Sequence, residues 1–203
     1  MAKTRIIAVA GGTASGKTTL ARDLVRVGGA QRVQIIPLDA YYRCNAHLSP
    51  DERARCNYDH PDAFEINLLE RQLGSLMSGE TVDVPQYDFS THSRSKITHR
   101  MTPSEILLVE GILALHFTGL RQLYSASVFV HTSDELRFSR RMSRDIRERG
   151  RTEDSVRTQW NDTVHPMHTE FCEPTKAHAT EVFSGEAWGD GHVVELLERL
   201  VRR

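Results

Sequence analysis

The chain is poor in features that would send it out of the cell, into a membrane or onto nucleic acid. Its three cysteines, Cys44, Cys56 and Cys172, form no Cys-x-x-Cys pair. A disulfide framework is not indicated, and a reducing cytoplasm is the expected setting. No apolar run approaches the length of a bilayer span. After Lys3 and Arg5 the first apolar stretch is only residues 6–10, too short for the core of a secretory signal. Neither sign of charge dominates: 26 Lys and Arg face 27 Asp and Glu, for a net of −1. No overall field therefore draws the chain to nucleic acid or to an anionic membrane. Internal repeats and low-complexity tracts are lacking too. What is left is 203 residues of ordinary globular composition, 39% hydrophobic and 26% charged, enough for one sizeable core and a small appended lobe.

Within that plain composition, Gly11-Gly12-Thr13-Ala14-Ser15-Gly16-Lys17-Thr18 has the Gly-x-x-x-x-Gly-Lys-Thr spacing of a phosphate-binding P-loop. The apolar run before it reads as a strand, and a helical pattern over 17–27 follows it. This strand–loop–helix setting separates the motif from a chance glycine turn. Backbone N–H groups from Gly11 through Thr19 can wrap a triphosphate. Lys17 would reach the β- and γ-phosphates, and the Thr18 hydroxyl would help hold Mg²⁺.

The remaining pattern alternates strands and helices. Residues 33–38 read as a strand ending at Asp39, 41–63 as a polar and aromatic loop, and 67–77 as a helix closed by Gly79. The alternating stretch 81–101, with Pro85 and paired aromatics, reads as a β-hairpin lobe. Residues 106–109 and 127–131 are apolar enough for buried parallel strands. Helices follow over 134–148 and 153–171, separated by Gly150 and stopped by Pro174; a short strand at 182–183 and a helix over 193–201 close the chain. The expected fold is α/β: a P-loop NTPase-type three-layer sandwich on a mainly parallel sheet, with the hairpin lobe and a helical lid of about 134–171 within one domain, 1–203. Ligands of such sheets bind beyond the carboxyl ends of the strands, which brings the P-loop, Asp39 and Glu110 to one edge.

Two acids stand at that edge. Asp39 can accept a proton from a hydroxyl while a phosphoryl group moves, or it can cap the loop behind it. Glu110 follows the apolar run 106–109 in the Walker B manner, where an acid orients Mg²⁺ or its water. Arginines crowd the following helix and turn: Arg137, Arg140, Arg141, Arg144, Arg147, Arg149 and Arg151. They read as a solvated face paired with Asp134, Glu135, Asp145 and Glu148, as a lid that clamps phosphate across a Gly150 hinge, or as a nucleic-acid surface, which the interleaved acids weaken. His165, His168 and Cys172 share a helix face at metal-like spacing, but Pro166 and the want of a fourth ligand argue against zinc.

Three stretches point to an acceptor: Asn57-Tyr58-Asp59-His60-Pro61-Asp62-Ala63-Phe64, Pro85-Gln86-Tyr87-Asp88-Phe89-Ser90-Thr91-His92-Ser93-Arg94, and Glu110-Gly111-Ile112-Leu113-Ala114-Leu115. With the arginines of 141–151 and Glu173-Pro174-Thr175-Lys176, they make the chain, from about residue 5 to residue 180, resemble the uridine–cytidine kinase family. The resemblance implies ATP-dependent phosphorylation of uridine and cytidine at the 5′-hydroxyl, to UMP and CMP, with Mg²⁺. It implies Asp39 as general base, beside Lys17 and Arg151 in the catalytic set. It implies Tyr42 and Asp59 on the nucleoside, Asp59 through the ribose hydroxyls, Tyr87 and His92 at the base, Arg141 and Arg151 on nucleoside or phosphate, and Gln159 on the ribose. It implies Thr18 and Glu110 at the metal. A homo-oligomer, a tetramer by resemblance, and feedback inhibition by CTP or UTP come with it. Histidine at position 92 matches the members that accept both pyrimidines, since a neutral imidazole can both donate and accept.

The stretch 177–186 departs from the family, which usually continues Pro-Thr-Lys with Tyr-Ala-Asp and a strand ending Pro-Arg-Gly. His165 stands where Lys often precedes the proline. The choice of ATP over GTP as donor is the inherited expectation most exposed to that departure. A related P-loop kinase acting on ribulose 5-phosphate or pantothenate is the alternative, although Tyr87 and His92 suit a flat base better than a sugar phosphate. A GTP-dependent switch would need an Asn-Lys-x-Asp guanine reader and an Asp-x-x-Gly switch, and neither motif occurs.

Overall fold

The computed structural model of the chain describes residues 4–89 and 91–202. Lys3, named above beside Arg5, and Ser90, within one of the stretches quoted above, fall outside the described residues. The strands are β1 (Arg5–Ala10), β2 (Val33–Pro37), β3 (Val82–Asp88), β4 (Ser93–Met101), β5 (Ile106–Gly111), β6 (Ala126–His131) and β7 (Glu181–Ser184). The helices are α1 (Lys17–Gly28), α2 (Pro50–Arg55), α3 (Ile66–Met77), α4 (Thr118–Leu123), α5 (Asp134–Arg149), α6 (Glu153–Gln159), α7 (His165–Met167) and α8 (Asp190–Arg202).

Five strands form one sheet in the order β2-β5-β1-β6-β7, and every neighbouring pair is parallel. Parallel neighbours need crossovers, and the crossovers cover both faces, so the central strands are apolar from end to end. In β1 the two-residue period divides the burial cleanly. Ile6, Ala8 and Ala10 face a core shared with α3 and the Leu38–Phe64 region; Ile7 and Val9 face a core shared with α1 and α8. In α8, Val193, Leu196 and Leu200 recur at helical spacing and meet Leu20, Ala21 and Leu24 of α1. The result is the expected three-layer α/β sandwich. β3 and β4 form a separate antiparallel hairpin whose register shifts between Pro85 and Tyr87, where Pro85 has no N–H for the ladder.

Several boundaries differ from the sequence reading. β2 stops at Pro37, and Leu38–Tyr41 is a 3₁₀ turn, so Asp39 lies in a tight turn just past the strand rather than at its end. The stretch 41–63 contains α2, opened by a capping box in which Ser49 and Glu52 exchange side-chain and backbone hydrogen bonds. The helix expected over 153–171 is not uniform. Two π-helical stretches, Trp160–Val164 and His168–Cys172, flank α7. Pro166 explains the first: it lacks an N–H and crowds the carbonyl one turn back, and a widened turn relieves both. The helical run ends at Cys172, just before Pro174 as expected, and Pro174 sits in the first turn of a following 3₁₀ segment, Glu173–His178, where no N–H is needed. Among the described residues, no helix is long and apolar enough to cross a membrane.

Leu108, fully buried in β5, tests the core. Leu108→Ala is expected to lower the unfolding free energy by roughly 2–5 kcal/mol, read from urea denaturation.

Candidate active site

Loop, strand ends and helix start combine into an anion cradle. Gly11 (φ 143°) and Gly16 (φ 98°) take backbone conformations that disfavour side chains. A Cβ on Gly11 would sit 2.5 Å from the Val130 carbonyl oxygen. The Ser15 N–H closes the loop onto the Gly12 carbonyl (3.1 Å), and Thr132 Oγ1, just past β6, anchors it by donating to the Ser15 carbonyl (2.9 Å). α1 then begins with no side-chain cap and no acid in its first turn. Its free N–H groups and positive dipole end face the cleft and favour an anion.

Three carboxylates line the cleft within the electrostatic reach of Lys17. Glu110, at the end of β5 and only 8% exposed, pairs with β1 at Val9 and β2 at Pro37. It accepts from Thr18 Oγ1 at 3.1 Å and lies 3.6 Å from Lys17 Nζ. Asp39 follows β2 and lines the cleft beside Tyr42. Asp59 comes from the loop after α2, whose shape is held by the Asp59 N–H on Asn57 Oδ1 (3.0 Å). Asp39 and Asp59 keep a partial opening to the cleft, yet protein encloses them on most sides. Loss of water raises the pKa of all three above the ordinary carboxylate range, and Lys17 opposes that rise in each. The Thr18 hydroxyl and the Glu110 carboxylate are a hard oxygen pair of the kind that suits Mg²⁺, with phosphate oxygens and water completing its shell.

Beside the acids lies an aromatic pocket. The Tyr42 ring sits 5.1 Å from Tyr58 and 5.0 Å from Tyr87, and His92 stacks on Tyr58 at 5.4 Å with 15° between planes. His92 occupies the left-handed region (φ 50°), so the hairpin turn presents its ring to the pocket at some backbone cost. Burial, then the nearby Arg151, Arg53 and Arg149, lowers its pKa and keeps the ring neutral. Arg94 ties the hairpin down, donating to Glu65 (2.9 Å) and to the Tyr42 carbonyl (2.8 Å).

The third wall is the arginine helix α5 and the turn after it. Arg141 donates to Thr13 Oγ1 (3.0 Å) and to Gln159 Oε1 (2.7 Å), and Gln159 also accepts from Arg151. Arg140 donates to the carbonyls of Gly185 (2.7 Å) and Glu186 (2.9 Å). Arg137 is buried and lies 5.2 Å from the centre of the Trp160 ring. The helix face once weighed as a zinc site is divided among other partners: His165 meets Asp134 (3.0 Å), His168 faces Glu173 (3.4 Å), and Cys172 is buried in the core.

These walls enclose a cleft of about 1160 Å³. It is lined by Thr13, Ala14, Gly16, Lys17, Thr18 and Thr19 of the loop and by Asp39, Tyr42, Asp59, Tyr87, His92, Glu110, Arg141, Arg151 and Gln159, all singled out in the sequence. Gly12 borders a small neighbouring void, and Gly11 and Ser15 lie buried beneath the loop. Sequence reasoning passed over Tyr58, which sits within a quoted stretch, and the far end of the cleft. There Trp188 donates to Asp23 Oδ2 (2.9 Å) and its ring edge covers Gly16, with Arg22 and Arg140 alongside. A lone aromatic in the glycine-rich stretch after Gly185 was the available signal.

With this geometry in place, comparison with known proteins is specific. Residues 6–186 match the model of the phosphoribulokinase / uridine kinase family. The chain is 48% identical over 179 residues to a uridine kinase of Lactococcus lactis subsp. lactis, covering 88% of this chain and 87% of that one. It is 48% identical over 180 residues to a uridine kinase of Chloroflexus aggregans, covering 89% and 86%. In fold it resembles the phosphoribulokinase of Rhodobacter spheroides, with a TM-score of 0.66 at 18% identity over 90% of this chain and 70% of that one. A P-loop backed by buried acids, on a parallel sheet shared with such kinases, leaves one assignment: the chain is a kinase and belongs to the phosphoribulokinase / uridine kinase family.

Proposed function

We propose that the protein is one kinase domain that transfers the γ-phosphoryl group of ATP to the 5′-hydroxyl of uridine and cytidine, giving UMP and CMP. The observation that carries this reading is the position of Asp39, between the phosphate cradle and the aromatic pocket. The triphosphate lies along the P-loop and the start of α1, with Lys17 at its β- and γ-phosphates. The nucleoside base enters among Tyr42, Tyr58, Tyr87 and His92, and Asp59 accepts from both ribose hydroxyls. The 5′-oxygen then faces the γ-phosphorus. Asp39 takes the 5′-hydroxyl proton as the new P–O bond forms, and the bond to the bridging oxygen breaks with its electron pair leaving on ADP. Arg141 and Arg151, cross-linked through Gln159, face the charge that spreads over the transferring group. Thr18 and Glu110 would hold Mg²⁺, which neutralises phosphate charge when bound. The relatives' names support uridine as acceptor; the neutral His92 ring, able to donate at one nitrogen and accept at the other, supports cytidine as well.

The donor's base then falls at the opposite end of the cleft, against Trp188 and Arg140, because the P-loop separates that end from the aromatic pocket. An ATP analogue that resists hydrolysis is expected to quench tryptophan fluorescence in Trp160→Phe but not in Trp188→Phe. Equal quenching in both variants would move the donor base elsewhere.

Asp39→Asn is expected to lower kcat by about 10²–10⁴-fold, the usual contribution of a general base, while ATP binding stays measurable by calorimetry. The same change should raise the melting temperature of the ligand-free protein at neutral pH. A carboxylate whose folded pKa is raised gives its full stability below the unfolded value and loses it as pH climbs through the folded one, so near pH 7 the charged Asp39 is a cost. His92→Tyr should reduce kcat/KM for uridine more than for cytidine in a coupled ADP assay. Equal losses would remove His92 from base recognition.

A further inference from the structure

The arginines of α5 converge on an acid that takes no part in the cleft wall. Asp145 is 0% exposed, whereas other acids of the same lid are open to water: Glu148 is 55% exposed and Glu153 is 62% exposed. Four guanidinium groups meet its carboxylate. Arg144 lies 2.8 Å and Arg149 3.5 Å from Oδ1; Arg141 and Arg151 each lie 3.6 Å from Oδ2. The Asp145 carbonyl also accepts the N–H of Gly150, which caps α5, and that of Arg151 (3.1 Å). One residue thus orients four cationic side chains and also the chain reversal that carries the last of them.

All four arginines line the cleft, and Asp145 does not. Four positive groups within one short arc repel each other. Burial first, and then Arg144 and Arg151, weaken the protonation of both Arg141 and Arg149, and Asp145 opposes that effect in each. The ion pairs are not those of a solvated helix face, where partners are exposed and interchangeable. Nor is the carboxylate fully hydrogen-bonded: Asp145 Oδ2 and Arg141 Nε are both buried without a hydrogen-bond partner. A buried carboxylate with an unbonded oxygen is a poor device for stability alone. It does suit an array whose guanidinium groups must stay aimed at phosphate.

We infer that Asp145 is the positioning residue of the lid: it holds Arg141, Arg144, Arg149 and Arg151 over the site of phosphoryl transfer without touching either substrate. The inference rests on the phosphoryl-transfer reading of the cleft. Preorganised cations act on charge that develops during transfer, so loosening them falls on kcat and on binding of the donor's phosphates more than on KM for the nucleoside.

The test compares wild type with Asp145→Asn, which keeps shape but removes charge, with Asp145→Glu, which keeps charge but shifts it, and with Glu153→Gln as a control on an exposed lid pair. Steady-state kinetics with uridine and calorimetry with AMP-PNP are read beside melting curves. Both Asp145 variants should lower kcat by about tenfold or more and weaken AMP-PNP, with KM for uridine within about twofold and Glu153→Gln unchanged. Because Asp145 acts through the arginines, Asp145→Asn added to Arg151→Lys should cost less than the two single losses combined. If Asp145→Asn does not fold, Asp145→Glu and its double variant with Arg151→Lys carry the same comparison. Wild-type kcat and wild-type AMP-PNP affinity in a folded Asp145 variant, with only the melting temperature lowered, would overturn the inference. A wild-type protein that leaves uridine and cytidine untouched would overturn the acceptor reading, while weaker AMP-PNP in the Asp145 variants would still uphold the role of Asp145.

Discussion

The ammonium group of Lys17 makes the rest of the cleft possible. Asp39, Asp59 and Glu110 come from three separate parts of the chain into its field, Glu110 at 3.6 Å, and burial works against the charge of each. Lys17 is the cation that favours ionisation of all three, and it holds that position because Gly16 starts α1 in a left-handed conformation one residue before it. The loop's shape depends in turn on Thr132, just past β6, through its bond to the Ser15 carbonyl, and on the absence of a side chain at Gly11. Sheet, loop and acids are therefore one cooperative unit rather than a motif placed on a scaffold.

Much of this was legible in the sequence. The apolar runs at 6–10, 106–109 and 127–131 became the central strands because a strand buried on both faces has no polar period to disguise it. The P-loop spacing located the glycine-rich loop of the cleft, and the acids at the ends of the neighbouring strands, Asp39 and Glu110, were both found lining it. The acceptor side was legible only through resemblance. Asp59 and His92 lie in irregular segments and Tyr87 at the end of β3, and no periodicity predicts that a loop after α2 and a hairpin will face the same space.

The misreadings share a cause: each concerns a local rule that distant contacts overrode. A uniform helix was expected over 153–171, and Pro166 within it is instead accommodated by a widened turn. Asp145 looked like one more partner on a charged helix face, because sequence does not show which of several acids is taken out of water. Trp188 stood just beyond the stretch that departs from the family, as a lone aromatic among glycines, and its place in the cleft comes from contact with Gly16, far away in the chain.

β2 and β5 lie side by side in the sheet, yet the chain between them, residues 38–105, carries Asp39, Tyr42, Asp59, Tyr87 and His92. β6 and β7 are likewise neighbours, and the chain between them carries every arginine of the lid together with Gln159. On the proposed reading, the acceptor-facing residues and the arginine array are thus each written into a single detour that leaves the sheet and returns to the adjacent rung. A lineage can rewrite the first detour to accept a different alcohol while the phosphate machinery stays untouched. That architecture makes it physically reasonable for one family to carry, in its name, both a sugar-phosphate kinase and a nucleoside kinase.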